Sequence, residues 1–170
     1  MSRGFVKEED QEEIPMVPPR ADLPNGAVNY VTQIGYNNLL EERNDLSLEK
    51  ESLQHDNEKE RRIASNLINA KLQLLNERIA NAKIVALNEQ PQNEVRFGAT
   101  VTVIIDNAET SQEFQIVGVD QANIAKGKIS FLSPIARVLI SKHVGDISTL
   151  QLGNLNRDFK ILNISYSNHN

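Results

Sequence analysis

Gly127 to Asp146, GKISFLSPIARVLISKHVGD, reads as strand, sharp turn, short helix and second turn. Lys128 to Leu132 alternates branched or aromatic residues with polar ones, the period of a half-buried strand. Ser133-Pro134 stops it, because proline has no amide to give to a ladder. The same pair starts a helix, since serine is a good N-cap and proline is preorganised for the first helical position. Ile135, Val138, Leu139 and Lys142 then fall at helical spacing, which gives a two-turn helix one apolar face. Gly145-Asp146 returns the chain to a strand at Ile147 to Leu152. Further strand signals run over 96–105, 113–119 and 159–166, separated by the turn-rich intervals Asp106-Asn107-Ala108-Glu109 and Gly153-Asn154-Leu155-Asn156. A small, largely antiparallel sheet with the short Pro134 helix packed on one face satisfies the pattern.

Upstream the period changes. Thr32 is placed to cap a helix, and Leu39, Leu46 and Leu53 repeat every seven residues, the spacing of a coiled-coil seam. Ile68, Leu72, Leu75, Ile79 and Ala82 continue in steps of four and three. Between them Gln54-His55-Asp56-Asn57-Glu58-Lys59-Glu60 holds no large apolar residue and is suited to a turn. Two seams joined by such an interval predict an antiparallel helical hairpin over 32–85, with 54–60 at its tip. At about 1.5 Å per residue its arms project roughly 30–45 Å. Asn88, Glu89, Gln90 and Pro91 end the second helix and lead into a linker.

Residues 1–26 read as an extended, mostly mobile arm. The charge cluster Lys7 to Glu13 and the prolines at 15, 18, 19 and 24 offer little apolar surface and interrupt hydrogen bonding. The alternative is a peptide that packs along the protein or a partner, anchored by Phe5, Ile14, Met16 and Val17. The 170-residue chain carries 39% hydrophobic residues, a net charge of −5 and no cysteine. One or two domains are expected, with neither disulfides nor thiolate metal sites. The acidic balance argues against broad nucleic-acid binding and favours a protein partner with a basic surface. MSRGFVKEEDQ lacks an apolar run of signal-peptide length, and no stretch approaches the roughly 20 apolar residues that span a bilayer. A soluble, cytoplasmic protein that does not engage membranes is the expectation.

No catalytic constellation stands out. His55, His143 and His169 lie in three different contexts without zinc-site spacing, and there is no phosphate-binding glycine loop. Ser133 sits beside proline and not in a nucleophile elbow, so its natural role is the helix cap. No catalytic residue and no metal site of the chain's own is assigned.

The string Ser133-Pro134-Ile135-Ala136-Arg137, followed by Leu139-Ile140, Lys142 and Gly145-Asp146, resembles the C-terminal domain of the GreA/GreB transcript-cleavage factors of bacterial RNA polymerase. The resemblance begins at Phe97-Gly98-Ala99-Thr100-Val101-Thr102-Val103, runs through Ile116-Val117-Gly118 and ends near Tyr166. Thr32-x-x-Gly35 resembles the start of the family's first helix, and Leu67-Ile68 through Val85 the end of its second. The resemblance implies an α+β protein with an N-terminal antiparallel coiled-coil hairpin, followed by an FKBP-like antiparallel sheet domain with one short helix. Placed on this chain, those parts are an acidic, proline-rich tail at 1–29, the hairpin at 30–86, a linker at 87–94 and the sheet domain at 95–170.

In that family the hairpin enters the polymerase's secondary channel, and two acids at its tip help hold a magnesium ion that activates water for cleavage of backtracked RNA. Magnesium needs hard oxygen ligands, and two ions about 4 Å apart stabilise both the attacking and the leaving oxygen. The family's Asp-x-x-Glu-Asn tip motif is absent between Leu46 and Ile63. Matching both ends leaves the hairpin about fifteen residues shorter than typical, on the order of 10 Å of reach. Asp56, Glu58 and Glu60 are the remaining tip candidates, Asp56 and Glu58 close enough to share a cation in a turn. Glu58 is alternatively set to pair with Arg62 along the helix. The resemblance also implies docking of the sheet domain at the rim of the channel, with Ser133, Pro134, Ile135, Ala136, Arg137 and Leu139 as the candidate contact.

These implications converge on a bacterial RNA polymerase-binding elongation regulator that is not itself an enzyme and lacks robust cleavage stimulation. Any chemistry would belong to the polymerase, nascent RNA and DNA would be met only indirectly, and no cofactor is expected beyond a magnesium ion shared with the polymerase active site. Three alternatives compete with it. One is an active cleavage factor using Asp56 and Glu58. A second is a peptidyl-prolyl isomerase, disfavoured by the absence of tryptophan and the scattering of Phe97, Phe114, Phe131, Phe159 and Tyr166. The third is a coiled-coil dimer in which the 32–85 seam pairs between chains.

Overall fold

A computed structural model describes residues 15–167; the arm's charge cluster 7–13, its anchors Phe5 and Ile14, and His169 lie outside the described residues. The sheet is built on β3 (Thr100–Ile105), flanked by β4 (Gln112–Val117) and β7 (Leu155–Ser165), with β5 (Lys128–Ser130) and β6 (Ile147–Leu152) at the edges in the order β5-β4-β3-β7-β6. Period-two alternation sends Val101 and Val103 to one face, where they meet Phe114, Ile116, Ile129, Leu150, Phe159 and Ile161. Helix α3 (Pro134–Leu139) covers that face and inserts Ala136 and Leu139, both fully buried. Burying such side chains stabilises the fold by roughly 1.5–3 kcal/mol each for the larger ones.

The strands differ in several details from the expected antiparallel sheet: β3 starts at Thr100 and not at Arg96, β4 ends at Val117, and β5 stops at Ser130 because Phe131 and Leu132 already turn toward the Ser133 cap. β5 pairs parallel to β4, Gln115 opposite Lys128 through Val117 opposite Ser130. The chain between them loops back over Gly118–Gly127, with a 3₁₀ turn at Ile124–Lys126, so it re-enters the sheet alongside the second half of β4 instead of reversing in a tight turn. β7 is also longer than expected, because only Gly153-Asn154 turn the β6–β7 hairpin and Leu155 already pairs with Leu152. A bulge sits in this strand. Thr102 faces Asn163 whereas Val103 faces Ile161, which leaves Leu162 as the extra residue. At the other end of β3, Asp106 and Asn107 take positive φ in a tight turn closed by the Ala108 amide on the Ile105 carbonyl.

The hairpin comprises α1 (Gln33–Glu51) and α2 (Glu58–Asn81). Nineteen and 24 residues correspond to about 28 and 36 Å of helix. Leu39, Ile68 and Leu75 are buried in the seam, and Leu46, Leu53, Leu72 and Ile79 are half-buried. The seam therefore closes within one chain. α2 stops at Asn81, short of the expected Val85, because β2 (Ala82–Ile84) pairs in parallel with β1 (Asn29–Val31) just ahead of α1. β-branched Val31 and Ile84 suit that two-strand clasp, which ties the two ends of the hairpin together.

Candidate functional site

Three regions of the molecule carry polar groups with no evident role in the sheet core: the hairpin tip, the corner before α3 and the joint at the hairpin base.

At the tip Ser52 caps α1 and Asn57 caps α2, its Oδ1 accepting from the Lys59 amide at 2.8 Å. The tip loop is thus shorter than the 54–60 interval, and Glu58 and Glu60 belong to the first turn of α2. There their charge complements the positive end of the helix dipole. Glu60 also lies 4.0 Å from His55 Nδ1. Asp56 remains in the loop, exposed. Among the described residues no group of three or more His, Asp or Glu side chains is disposed to hold a metal ion. Asp56, Glu58 and Glu60 therefore do not form a magnesium site on their own.

At the corner Ser133 Oγ accepts from the Ala136 amide at 3.3 Å, and Pro134 occupies the first turn of α3. Ser130 Oγ accepts from the Leu132 amide at 3.1 Å and sharpens the bend. Burial divides the six candidate contact residues. Ala136 and Leu139 are fully buried and support the corner from beneath, so neither presents a contact surface. Ser133 and Ile135 are half-buried, and Pro134 and Arg137 are exposed. The Arg137 guanidinium has no ion-pair partner among the described residues.

The joint is the site that sequence reasoning missed. Arg20 holds Glu42 of α1 with two parallel hydrogen bonds of 2.7 and 3.0 Å and donates through Nε to Asp120 Oδ1 at 3.1 Å. Arg78 of α2 approaches the other oxygen, Oδ2, at 3.4 Å without hydrogen-bond geometry, and donates to the Ala21 carbonyl. The hydrogen bond to Glu42 and the charge of Asp120 hold the Arg20 guanidinium above its ordinary pKa, against the opposing effect of burial. Beside this network the α1 cap itself crosses the joint. Thr32 Oγ1 accepts from the Gly35 amide at 2.9 Å and donates to Gln121 Oε1 at 2.7 Å.

Two glycines permit the approach. A Cβ on Gly35 would lie 2.6 Å from Gln121 Oε1, and one on Gly118 would lie 2.5 Å from the Tyr30 carbonyl oxygen. Tyr30, Phe97 and Phe131 fill the neighbouring space, with ring centroids 5.6–5.8 Å apart. These rings pack on one another, and Phe114 and Phe159 are buried in the sheet core, so the aromatics give the isomerase alternative no support. The arm's anchors also need correction. Met16 is 93% exposed and Val17 only half-buried, and Arg20 is what fastens the segment. Thr32-x-x-Gly35 was the one visible signal. The Arg20–Asp120 pairing spans 100 residues, beyond any local pattern.

Residues 90–166 match the family described as "Transcription elongation factor, GreA/GreB, C-term". The transcription elongation factor GreA of Helicobacter acinonychis is 39% identical over 119 residues, which cover 69% of this chain and 70% of that protein. GreA of Maricaulis maris is 34% identical over 99 residues, 58% of this chain and 63% of its own length, so the match falls short of two thirds of that relative. Among solved structures, GreA factor homolog 1 of Thermus thermophilus aligns over 79% of this chain and 97% of its own with 22% identity and a TM-score of 0.38. No helix among the described residues is long and apolar enough to cross a membrane. On the family match and the Helicobacter relationship together, this chain belongs to the GreA/GreB family of transcription elongation factors.

Proposed function

We propose that the chain is a regulator of transcription elongation that binds bacterial RNA polymerase in the cytoplasm, docks through the sheet domain and places a short hairpin in the secondary channel, without strongly stimulating transcript cleavage. The observation that carries the non-cleaving reading is the state of the tip. Glu58 and Glu60 are engaged with the helix terminus they start and with His55, which leaves Asp56 as the one acid in the loop itself. Metal-assisted hydrolysis requires donors held to within about an ångström of their working geometry. A loop held mainly by its two caps, Ser52 and Asn57, provides little to hold them.

Docking through the corner is supported by the division of its residues. Ser133 and Pro134 set the bend, buried Ala136 and Leu139 make it rigid, and Arg137 stands exposed beside half-buried Ile135. An exposed arginine on a rigid corner suits an acidic partner surface. In this reading the factor supplies shape and charge, and any bond breaking belongs to the polymerase.

The test is cleavage of nascent RNA in a stalled, backtracked elongation complex with polymerase from the same organism, comparing the intact chain with Asp56→Ala/Glu58→Ala. No shortening of the transcript, together with saturable binding and protection against an active cleavage factor, is the expected result. Magnesium-dependent shortening that disappears in the double variant would overturn the non-cleaving reading and assign the acids a direct role. Absence of binding would remove the polymerase as partner.

A further inference from the structure

The described part of the N-terminal segment reaches both hairpin helices and the sheet domain, and its apolar hold on them is limited to side chains such as Val17 and Leu23 that are only half-buried. Met16, Pro18, Pro19 and Pro24 are exposed. A crevice of about 760 Å³ remains between the segment and Leu74, Glu77, Arg78 and Asn81 of α2. What fastens the segment is polar and concentrated at two points. Arg20 reaches Glu42 and Asp120, and the Ala21 carbonyl accepts from Arg78. Asp120 belongs to the connection between β4 and β5, its side chain 8% exposed. It therefore serves as a counter-ion shared by the arm, α2 and the sheet domain.

This arrangement is not needed to fold any one part. The sheet has its own core, the hairpin its own seam, and the arm is extended without regular secondary structure until β1. A half-buried arginine with a bidentate acid on one element and a second acid on another acts between elements. We infer that residues 17–27 are a releasable brace: Arg20, clamped between Glu42 and Asp120, limits the swing of the hairpin relative to the sheet domain, and detaching the arm lets the hairpin tip explore a wider range of positions.

The geometry also indicates how release would occur. The directional contacts that hold the arm are few and are charged or backbone polar, while its apolar side chains Val17 and Leu23 are only half-buried, so little apolar burial resists exchange. A partner that offers Arg20 a competing acid, or Asp120 a competing base, would shift the balance by its difference in affinity for the two states. The bearing of this brace on transcription rests on the polymerase reading above, whereas the brace itself does not.

The chain has no cysteine, so the full-length protein carrying Lys59→Cys and Gln151→Cys takes one spin label near the tip and one on β6. The distance distribution between them is read by double electron–electron resonance, in the absence of polymerase. The braced chain is expected to give one narrow distribution, Arg20→Ala a broadened or shifted one, and Glu42→Gln a smaller change in the same direction. Arg157→Ala, which breaks an ion pair with Asp106 remote from the joint, is expected to leave the distribution unchanged. Amide protection of β3 and β7 should be the same in every variant, confirming an intact sheet. An unchanged distribution in both Arg20→Ala and Glu42→Gln would overturn the brace, as would an equal broadening in Arg157→Ala. Because no polymerase is present, failure here is separate from failure of the proposed function.

Discussion

The two ends of the hairpin are held by different kinds of interaction. At the base, close backbone approach, a clasp of two short strands, a ring cluster and a four-residue charge network bring together segments up to 100 residues apart in sequence. At the tip, the caps are made by residues next to the turns they close, and the side chains around them face solvent. The contrast separates two tasks. The base fixes where the hairpin points, so substitutions there should be expressed as stability and shape. The tip is free to change its chemistry at little cost to folding.

The largest expected effect tests the base. A methyl group at Gly118 would collide with backbone, the Tyr30 carbonyl oxygen, and not with a side chain that can rotate away. Gly118→Ala is expected to lower stability by about 2–3 kcal/mol, in the range of overpacking penalties. Urea unfolding followed by circular dichroism measures it. A loss below about 0.5 kcal/mol, the ordinary range for surface substitutions, would mean the base is as tolerant as the tip.

A second prediction concerns the segment leading out of the base. Tyr166, at the end of β7, donates its hydroxyl to the Glu94 carbonyl and accepts from the Arg96 amide at 2.8 Å. Burial, aided by Glu94, pushes its pKa above the ordinary value of 10.0. The phenol is therefore harder to ionise in the folded chain than in the unfolded one. The associated stability is fully present below about pH 10 and is lost as pH rises through the raised folded value. Tyr166→Phe should cost about 1 kcal/mol at neutral pH, for a lost hydrogen-bond pair, and flatten the alkaline limb of the stability profile. An alkaline limb equally steep in Tyr166→Phe would assign it to other groups.

How much of this was legible follows the same division. The strand, corner and helix of Lys128 to Leu139 are written locally: alternation, a serine cap, a proline and an apolar stripe each act over a few residues, and the structure has the cap and proline as read, with the strand ending at Ser130 instead of Leu132 and the helix at Leu139, short of Lys142. The hairpin was equally legible in its seam leucines and in Thr32. Its end was not. Ala82 to Val85 continue a helical pattern, and only the presence of β1 on the other side of the hairpin turns them into a strand. The parallel β5 was hidden for the same reason, since alternation specifies a strand without specifying its neighbour's direction. Arg20 was the hardest case. A single arginine among prolines has the composition of a mobile tail, and its meaning depends on Glu42 and Asp120, which nothing nearby in sequence announces. Among the tip candidates, sequence located Asp56, Glu58 and Glu60 in the right interval but did not reveal that two of them start α2.

The smallest effects belong to the tip, and there the comparison can be sharpened most. Asn57 accepts from the Lys59 amide and is the side-chain cap of α2, so Asn57→Ala should cost about 1 kcal/mol or slightly less. Asp56 next to it is exposed, and Asp56→Ala should alter stability by no more than about 0.5 kcal/mol. The pair of measurements, made by urea unfolding in the same background, distinguishes a residue that builds the tip from one that merely stands on it. If Asp56→Ala costs as much as the cap, the acid is structural and its candidacy for contact with a partner weakens. If it costs nothing, folding gives no reason for an acid at that position, and the reason must be sought in what the tip meets.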